Sequence, residues 1–244
     1  MTSKTVCITG ASKGIGAAIA RRMAKEGHRL ILNTGSDESG LNNLSRELTD
    51  TYGISIFPSV GDIGNPDYVS SFIKEGCGKL GDVDILINNA GIAHVGLLSD
   101  MSVEQWQRVM NTNLNAAFYT SHAVLPGMVH RKSGKIINIT SMWGEVGASC
   151  EVAYSAAKGG LITFTKALAK ELAPSNIQVN ALSCGVIDTR MNDCFSAEEK
   201  ADLALEIPME RFGTPKEVAE AVYNLLTMPD YLTGQILRID GGFI

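Results

Sequence analysis

Tyr154 and Lys158 lie four residues apart in a stretch, residues 144–160, that otherwise holds mostly small or apolar side chains. On a helix, residues i and i+4 share one face, so the phenol and the ammonium would stand about one turn apart. A cation beside a phenol stabilises the phenolate and lowers the pKa of tyrosine from about 10, which would let it exchange protons near neutral pH. The spacing also arises by chance, so a catalytic role requires partners.

Ser141 is the first candidate partner. The β-branched run "GKIINITS" ends at this serine, thirteen residues before Tyr154. Active sites of α/β proteins assemble at the C-terminal ends of parallel strands, where the Ser141 hydroxyl could hydrogen-bond a substrate carbonyl. The same hydroxyl could instead cap a turn or a helix. The residues alone leave both interpretations open.

A glycine-rich stretch near the start of the chain indicates a second site. In "TVCITGASKGIGAAIARRM", a β-branched run leads into Gly10, Gly14 and Gly16 and then directly into an amphipathic pattern. Glycines allow a sharp turn and let a pyrophosphate approach the first N–H groups of the helix, where the helix dipole favours an anion. This order of strand, turn and helix predicts a dinucleotide site, although the spacing differs from the commoner G-x-G-x-x-G.

The end of the second β run bears on which dinucleotide binds. NAD-binding proteins place an Asp or Glu there to accept the ribose 2′-hydroxyl. This chain reads "LNTGS" instead, and its Thr34 hydroxyl and backbone N–H groups, with the Lys13 ammonium from the glycine turn, would suit a 2′-phosphate. The pattern favours NADP over NAD. Asp37 and Glu38 count toward NAD, and Lys13 could equally be a solvated surface lysine.

Seven short β-branched or apolar runs alternate with longer segments of helical periodicity. This alternation predicts a parallel sheet with helices on both faces, in a single doubly wound α/β domain that spans residues 1–244. The predicted strands are residues 5–9, 30–33, 54–57, 85–88, 136–140, 177–182 and 235–239. The predicted helices are residues 15–26, 67–79, 103–130, 153–172 and 215–227.

One connection departs from this alternation. Residues 185–212 are polar, contain no strand-like run and are long for an α/β connection. Long excursions of this kind usually serve as lids or binding loops. We expect this segment to form a lid over the substrate site.

Charge and composition bound the class of partner. A formal charge of −5, a pI near 5.4 and scattered Lys and Arg residues argue against a nucleic-acid partner. The first residues lack the apolar core of a signal peptide, and no run approaches the roughly 18 apolar residues of a membrane span, so we expect a soluble cytoplasmic protein. Five Cys and four His form no disulfide or ligand spacing, which predicts reduced thiols and no metal.

Together these motifs resemble the short-chain dehydrogenase/reductase family along nearly the whole chain. "TGASKGIG" matches the cofactor turn of that family, "NNAG" matches its motif after the fourth strand, and Asn113 in "NTNLNAAF" matches its helix asparagine. Ser141, Tyr154 and Lys158 match its catalytic set at the expected spacing. The resemblance implies a Rossmann-type sheet of about seven strands, a homotetramer and metal-independent hydride transfer.

The resemblance also implies roles for individual residues. Tyr154 would protonate the carbonyl oxygen, Lys158 would lower its pKa and hold the nicotinamide ribose, and Ser141 would orient the substrate. Asn113 would position a water that feeds a proton relay. The implied cofactor contacts are Gly10, Ser12, Lys13, Gly14, Ile15, Gly16 and Thr34 around the glycine turn, Asp62 and Ile63 beside the adenine, Asn89, Ala90 and Gly91 along the cofactor, and Gly185, Ile187 and Thr189 near the nicotinamide, in addition to Tyr154 and Lys158.

Within that family the chain most resembles the 3-oxoacyl-acyl-carrier-protein reductases, in its length, in "YSAAKGGLITFTKALAKELA" and in "TGQILRIDGG". This implies NADPH-dependent reduction of a 3-oxoacyl thioester in fatty acid biosynthesis. The segment "SMWGEVGASCEVAYSAAKGG" also resembles a bacterial subgroup thought to reduce a 5-aminopentanone group on elongation factor P. Glu145 and Glu151 in that segment could attract a positively charged substrate and repel an acidic carrier, or both could be solvated loop acids.

Two further functions stay open from the residues. A secondary-alcohol or hydroxysteroid dehydrogenase would use NAD with the same catalytic set. A non-catalytic dinucleotide-binding protein would keep the glycine turn, but it has no need for Ser141, Tyr154 and Lys158 in alignment.

Two positions depart from the family pattern. Cys184 stands where most members have proline before Gly185, which frees φ, restores a backbone N–H and predicts a more mobile loop over the nicotinamide. Cys184 is either open to alkylation beside the cofactor or a small buried side chain. Ser175 stands where acyl-carrier reductases tend to have arginine, although Arg131 and Lys132 could supply a basic contact.

Overall fold

The computed structural model describes residues 3–192 and 196–244, and within them seven strands form one parallel sheet. The strands are β1 (Thr5–Ile8), β2 (Arg29–Thr34), β3 (Ile56–Val60), β4 (Ile85–Asn88), β5 (Gly134–Ser141), β6 (Ile177–Cys184) and β7 (Ile236–Ile239). Their order is β3-β2-β1-β4-β5-β6-β7, and every pairing is parallel. The chain therefore winds outward from β1 in one direction and from β4 in the other. The predicted doubly wound α/β fold is confirmed, and such sheets bind ligands in the crevice where the strand order reverses.

Helices cover both faces of the sheet, as predicted. They are α1 (Gly14–Lys25), α2 (Glu38–Tyr52), α3 (Pro66–Leu80), α4 (Val103–Met110), α5 (Ala116–Arg131), α6 (Trp143–Val146), α7 (Val152–Leu172), α8 (Ala197–Glu206) and α9 (Pro215–Thr227). One core joins α1, α2 and α9 to the sheet through residues such as Met23, Leu44 and Val222. The other joins α3, α5 and α7 through residues such as Phe72 and Met128. The inner strands β1, β2, β4, β5 and β6 are buried on both faces, whereas the edge strands β3 and β7 are partly exposed.

The helix predicted over residues 103–130 is interrupted in the structure. A π-helical turn, Asn111–Asn115, separates α4 from α5. Within it the buried Asn113 side chain accepts a hydrogen bond from the Ile92 N–H and donates one to the Ile92 carbonyl, both at 2.8 Å. π turns of this kind are frequent at functional sites. Hydrophobic periodicity did not reveal the break because the apolar face continues on both sides of it.

Three helices were not predicted from the sequence: α2, α6 and α8. In α2 the apolar stripe is narrow, with Leu41, Leu44 and Leu48 buried in an otherwise polar segment, and Asp37 caps its first turn by accepting a hydrogen bond from the Gly40 N–H. α6 is only four residues long. α8 lies inside residues 185–212 and buries none of its side chains, so it lacks the apolar stripe that would mark it.

Cys184 continues the sheet. It is the last residue of β6 and pairs in register with Ser141 of β5 and Ile239 of β7. Its carbonyl accepts a hydrogen bond from the Met142 N–H at 3.0 Å, and the next residue, Gly185, donates one to the Ile239 carbonyl at 2.8 Å. Residue 184 itself thus belongs to the strand ladder, and the extra mobility of the loop that follows it stays a prediction. Burial raises the pKa of the Cys184 thiol to about 12, which disfavours the reactive thiolate.

Within the described ranges, no helix is both long enough and apolar enough to cross a membrane. The same ranges hold no group of three or more His, Cys, Asp or Glu side chains that could bind a metal ion. Cys7, Cys77, Cys150 and Cys184 are free thiols, and the fifth cysteine, Cys194, lies outside the described residues.

Candidate active site

A cavity of about 400 Å³ opens at the C-terminal edge of the sheet, a volume within the usual range for ligand pockets. It lies between the glycine turn, the ends of β5 and β6, the start of α7 and the face of α8. Six of the predicted site residues line it: Ile15, Ser141, Tyr154, Gly185, Ile187 and Thr189. These six residues converge on one space although they come from distant parts of the chain, whereas the other predicted site residues, Lys158 and Asn113 among them, do not line it.

The glycine turn fits an anion at the start of α1. Gly10 and Gly14 have φ of +65° and +55°, and a Cβ on Gly16 would lie 2.2 Å from the Gly10 carbonyl oxygen. The turn therefore needs glycine at each of these positions. Lys13 at the N-cap of α1 makes no side-chain cap, and the first turn has no acid. The first N–H groups of α1 are consequently available to a pyrophosphate.

Asn89 holds this turn in place. Its Nδ2 donates hydrogen bonds to the carbonyls of Thr9 and Gly10 at 2.9 and 3.0 Å, and the N–H groups of Asn89 and Ala90 both donate to Thr9 Oγ1. The Asn89 side chain is therefore used inside the protein. A Cβ on Gly91 would lie 3.5 Å from Lys158 Nζ, so the segment after β4 runs beside the predicted catalytic lysine.

The predicted adenosine end of the site lies at the edge of β2. Thr34 Oγ1 donates a hydrogen bond to Ser12 Oγ at 3.0 Å, which joins this edge to the glycine turn. Asp37 accepts a hydrogen bond from the Gly40 N–H, and this is the main reason that the pKa of its carboxyl is lowered. An interaction with the Ser12 hydroxyl lowers it further. Lys13 and Arg190 also act on this carboxylate. Arg190 was not predicted as a site residue, because it reaches this edge only through the tertiary fold.

Asp62 and Ile63 follow β3 at the same edge of the sheet. The exposed Asp62 carboxylate accepts a hydrogen bond from the Gly64 N–H at 2.8 Å. The Ile63 side chain is buried in the core between the sheet and α3. Of the two, only Asp62 presents its side chain outward, and Ile63 can meet a ligand only through its main chain.

Tyr154 and Lys158 share one face of α7, as the spacing predicted. Both side chains are buried, and Lys158 Nζ lies 5.7 Å from the centroid of the Tyr154 ring. The ammonium donates a hydrogen bond to the Ile139 carbonyl at 2.8 Å. This leaves two of its three N–H groups for other partners.

The pKa of Tyr154 differs from the sequence-based expectation. Burial raises it well above the usual value of tyrosine, and a hydrogen bond with Ser141 offsets only part of that effect. Burial likewise lowers the pKa of Lys158 to about 8. The prediction that the cation lowers the Tyr154 pKa is wrong for this structure, because removal from water outweighs the nearby ammonium. The phenol is protonated at neutral pH, the form needed by a proton donor.

The position of Ser141 fits both roles that the sequence left open, a turn cap and a hydroxyl at the substrate site. Its buried Oγ accepts a hydrogen bond from the Trp143 N–H at 3.2 Å, which caps the turn after β5. The same hydroxyl lines the cavity with the Tyr154 phenol, whose pKa it lowers in part. By contrast, both side-chain polar groups of Asn113 are bonded to Ile92. A water held by Asn113 would therefore need its main chain.

The two glutamates of the 144–160 segment have different surroundings. Glu145 is paired with Arg238 at 2.7 Å and accepts a hydrogen bond from Ser183 at 2.5 Å, so the interpretation of Glu145 as an attractor of substrate is wrong, as is that of a solvated loop acid. Glu151 lines the cavity, and burial raises its pKa. Its carboxylate has no hydrogen-bond or ion-pair partner in the part of the chain that the structure describes.

The other charged side chains that line the cavity are acidic, like Glu151. Three acids of α8, Glu199, Asp202 and Glu206, line it together with Glu151, and the lining residues of the described ranges include no Lys or Arg. Trp143 forms part of the apolar wall. These residues were missed because no local pattern shows that α8 faces the end of β5.

Comparisons with known proteins show the family of this chain. The model of the short chain dehydrogenase family matches residues 4–200. The chain belongs to this family. It is 38% identical to an uncharacterized oxidoreductase, YmfI, of Bacillus subtilis, over 99% of both chains. It is also 38% identical to the 3-oxoacyl-[acyl-carrier-protein] reductase FabG of Vibrio cholerae, over 99% of this chain and 98% of that protein.

A third relative, the 3-oxoacyl-[acyl-carrier-protein] reductase of Synechocystis sp., is 39% identical over 100% of this chain and 98% of its own length. Among solved structures, a blue fluorescent protein from a metagenomic library, in complex with NADPH, superposes with a TM-score of 0.90. The two are 32% identical, and the match covers 98% of this chain and 97% of that one. As a short-chain dehydrogenase, the protein is an NAD(P)-dependent oxidoreductase that acts on CH–OH or C=O groups.

Proposed function

We propose that this protein is an NADPH-dependent carbonyl reductase in which Tyr154 donates the proton to the oxygen of a ketone. The observation that carries the proposal is the buried Tyr154 phenol at the cavity wall, which Ser141 also lines, with Lys158 on the same helix face. Bound NADPH supplies the hydride. The chain's own residues orient the ketone and move the proton.

Each catalytic residue has a task that its contacts support. The Trp143 N–H occupies one lone pair of Ser141 Oγ, so the Ser141 proton is free to point at a carbonyl oxygen beside Tyr154. Lys158 is anchored on the Ile139 carbonyl, and its remaining N–H groups would hold the nicotinamide ribose. The uncapped start of α1 would hold the pyrophosphate. We assign the water of a proton relay to the main chain of Asn113.

The preference for NADPH over NADH rests on the charges at the edge of β2. No acid stands at the end of that strand, and the nearest, Asp37, is engaged as the cap of α2. Lys13 and Arg190 bring two cations toward the same edge. Comparing kcat/KM for NADPH and NADH in the wild type and in Lys13→Ala tests this, with the exposed Lys25→Ala of α1 as control. Equal use of both cofactors by the wild type would refute the preference.

The first candidate substrate is a 3-oxoacyl thioester carried by acyl carrier protein, in fatty acid biosynthesis. The relatives support this substrate, because the proteins of Vibrio cholerae and Synechocystis are 3-oxoacyl-[acyl-carrier-protein] reductases and are similar to this chain over 98% of their length. The basic contact expected for an acidic carrier is weak here. Arg131 is already paired with Asp82 and Asp84 and bonded to the Val83 carbonyl.

The second candidate is an amino ketone, such as the 5-aminopentanone group on elongation factor P. The observation that favours it is the Glu151 carboxylate, which has no partner among the described residues and lies in a cavity where every charged lining residue of those ranges is an acid. A protonated amine would satisfy Glu151, whereas an acidic carrier would be repelled by the acids that line the cavity. An NAD-dependent alcohol or hydroxysteroid dehydrogenase and a non-catalytic dinucleotide-binding protein have no comparable support from the site.

Side-by-side turnover assays with NADPH separate the two candidates. An acetoacetyl thioester of acyl carrier protein and a peptide bearing an amino ketone are offered at matched concentrations. Faster reduction of the thioester would remove the amino-ketone proposal, and the reverse would remove the acyl-carrier proposal. If the protein reduces neither substrate and no other ketone in a wider panel, the proposal that it is a carbonyl reductase is refuted.

We further propose that residues 185–212 act as the substrate lid and that the protein is a homotetramer. α8 supports the lid, since it lines the cavity yet buries no side chain of its own. Hydrogen exchange of the α8 amides should slow when NADPH and substrate bind, and protection without ligands would contradict the lid.

The homotetramer is supported by the exposed apolar side chains of Phe118 and Val129 on α5, which copies of the chain could bury against one another. The mass in solution, measured by light scattering, tests the tetramer.

A further inference from the structure

The Glu145 carboxylate joins the short helix α6 to two strands of the sheet. Its Oε1 accepts a hydrogen bond from Ser183 Oγ of β6 at 2.5 Å, and its Oε2 accepts one from Arg238 of β7 at 2.7 Å. Arg238 also donates to the Ile244 carbonyl at 2.7 Å. Ser183 is completely buried. A single acid therefore ties α6 to the far edge of the sheet.

Two further contacts hold α6 on its other sides. A Cβ on Gly144 would lie 2.6 Å from the main-chain carbon of Lys158, so α6 touches the backbone of the catalytic helix α7. The Trp143 ring packs edge-on against Phe243, with the ring centroids 5.7 Å apart. α6 is thus held between α7 and residues 238–244, and its orientation depends on both.

The orientation of α6 matters because its first residue positions the Ser141 hydroxyl. The Trp143 N–H donates a hydrogen bond to Ser141 Oγ at 3.2 Å. That bond fixes one lone pair of the oxygen and leaves the proton to face Tyr154 and the cavity. A tilt of α6 would move the donor, and a misplacement of about 1 Å in a catalytic constellation can cost about 100-fold in rate.

We propose that Glu145 is a positioning residue that orients Ser141 by fastening α6 to Ser183 and Arg238. The inference rests on the proposed function, since it assumes that the Ser141 hydroxyl orients the ketone. Glu145 itself does not touch the substrate. It acts through the Trp143 N–H, and Arg238 acts through Glu145.

The test uses Glu145→Gln, Arg238→Gln and the double variant, all in a Trp106→Phe background. The chain has two tryptophans, so Trp143 is then the sole reporter of α6. In Glu145→Gln the side chain loses its charge and keeps one acceptor oxygen, so it can no longer accept hydrogen bonds from both Ser183 and Arg238. Glu47→Gln is the matched control, because it breaks an ion pair of equal length, with Arg21, between α1 and α2.

We expect each single variant to lower kcat by about tenfold at an unchanged KM for NADPH. Acrylamide should quench Trp143 emission more strongly in both. The double variant should be no slower than either single one, because both substitutions break the same link. Glu47→Gln should match the background in kcat and quenching. A purely stabilising role of Glu145 would instead leave kcat unchanged at temperatures where the variant is folded.

Wild-type kcat in folded Glu145→Gln would overturn the inference while leaving the proposed function intact. Additive losses in the double variant would also overturn it. If the Trp106→Phe protein, with Glu145 and Arg238 intact, reduces no ketone, the proposed function fails together with this role of Glu145. If Glu145→Gln does not bind NADPH or fold, Arg238→Gln decides, since Arg238 is more exposed and its loss leaves the Ser183 hydrogen bond in place.

Discussion

The Lys158 ammonium lies 5.7 Å from the centroid of the Tyr154 ring, with both side chains buried on one face of α7. Burial opposes charge on both groups, which raises the pKa of Tyr154 and lowers that of Lys158 to about 8. The phenol is therefore held as a neutral proton donor. Its neighbour is a cation whose charge changes close to physiological pH.

Tyr154→Phe removes the proposed proton donor and keeps the ring. We expect ketone turnover to fall by about 10²–10⁴-fold, the usual contribution of general acid catalysis, while NADPH still binds. Turnover is followed by NADPH absorbance, and affinity by NADPH fluorescence. Tyr52→Phe, at the exposed end of α2, is the control and should change neither value. Undiminished turnover in Tyr154→Phe would remove this residue from the mechanism.

Buried Lys158 should make stability depend on pH. Its pKa is about 8 in the folded protein and about 10.4 in an unfolded chain. Between these values the unfolded chain binds more protons than the folded one, so the free energy of unfolding rises with pH. From about pH 7 to about pH 9.5 the gain from this group is about 2 kcal/mol.

Urea unfolding of the wild type and of Lys158→Met at both pH values measures this gain. The methionine variant should lack this part of the pH dependence, whatever its absolute stability, because the titrating group is gone. Groups elsewhere in the chain titrate equally in both proteins and cancel in the difference. Identical pH dependence in the two proteins would mean that the Lys158 pKa is not lowered by burial.

Gly16→Ala should disrupt the cofactor turn. The added Cβ would lie 2.2 Å from the Gly10 carbonyl oxygen and 2.6 Å from Asn89 Nδ2, so the turn must open. We expect NADPH affinity to fall by at least about tenfold, because a shifted turn no longer aims the first N–H groups of α1 at the pyrophosphate. Gly78→Ala on α3 meets no atom within 4 Å and is the matched control. Normal NADPH titration of Gly16→Ala would place the pyrophosphate elsewhere.

Glu151→Gln should separate charged from neutral ketones. The variant keeps the shape of the side chain and removes the negative charge that a protonated amine would meet. We expect kcat/KM for an amino ketone to fall by about 10- to 100-fold, with little change for a neutral ketone of equal length. Glu198→Gln, on α8 but outside the cavity lining, is the control. An equal loss for both ketones would show that Glu151 acts on structure instead of on charge.

The sequence by itself determined the features that depend on neighbours along the chain. The turn of Gly10, Gly14 and Gly16, the shared face of Tyr154 and Lys158, and the end of β5 at Ser141 follow from strand, turn and helix geometry within a few residues. The alternation of β and helical segments likewise predicted the doubly wound sheet. These relationships hold wherever the elements are placed, so the structure reproduces them.

Only the tertiary structure decided how charge is distributed around the site. Glu145 and Glu151 stand six residues apart, yet one is neutralised by Arg238 and the other faces the cavity without a partner among residues 3–192 and 196–244. The pKa of Tyr154 moves opposite to the expectation from its helical neighbour, because burial is a property of the whole fold. Solvation and pairing depend on residues that are distant along the chain, and a local pattern carries no record of which of them meet.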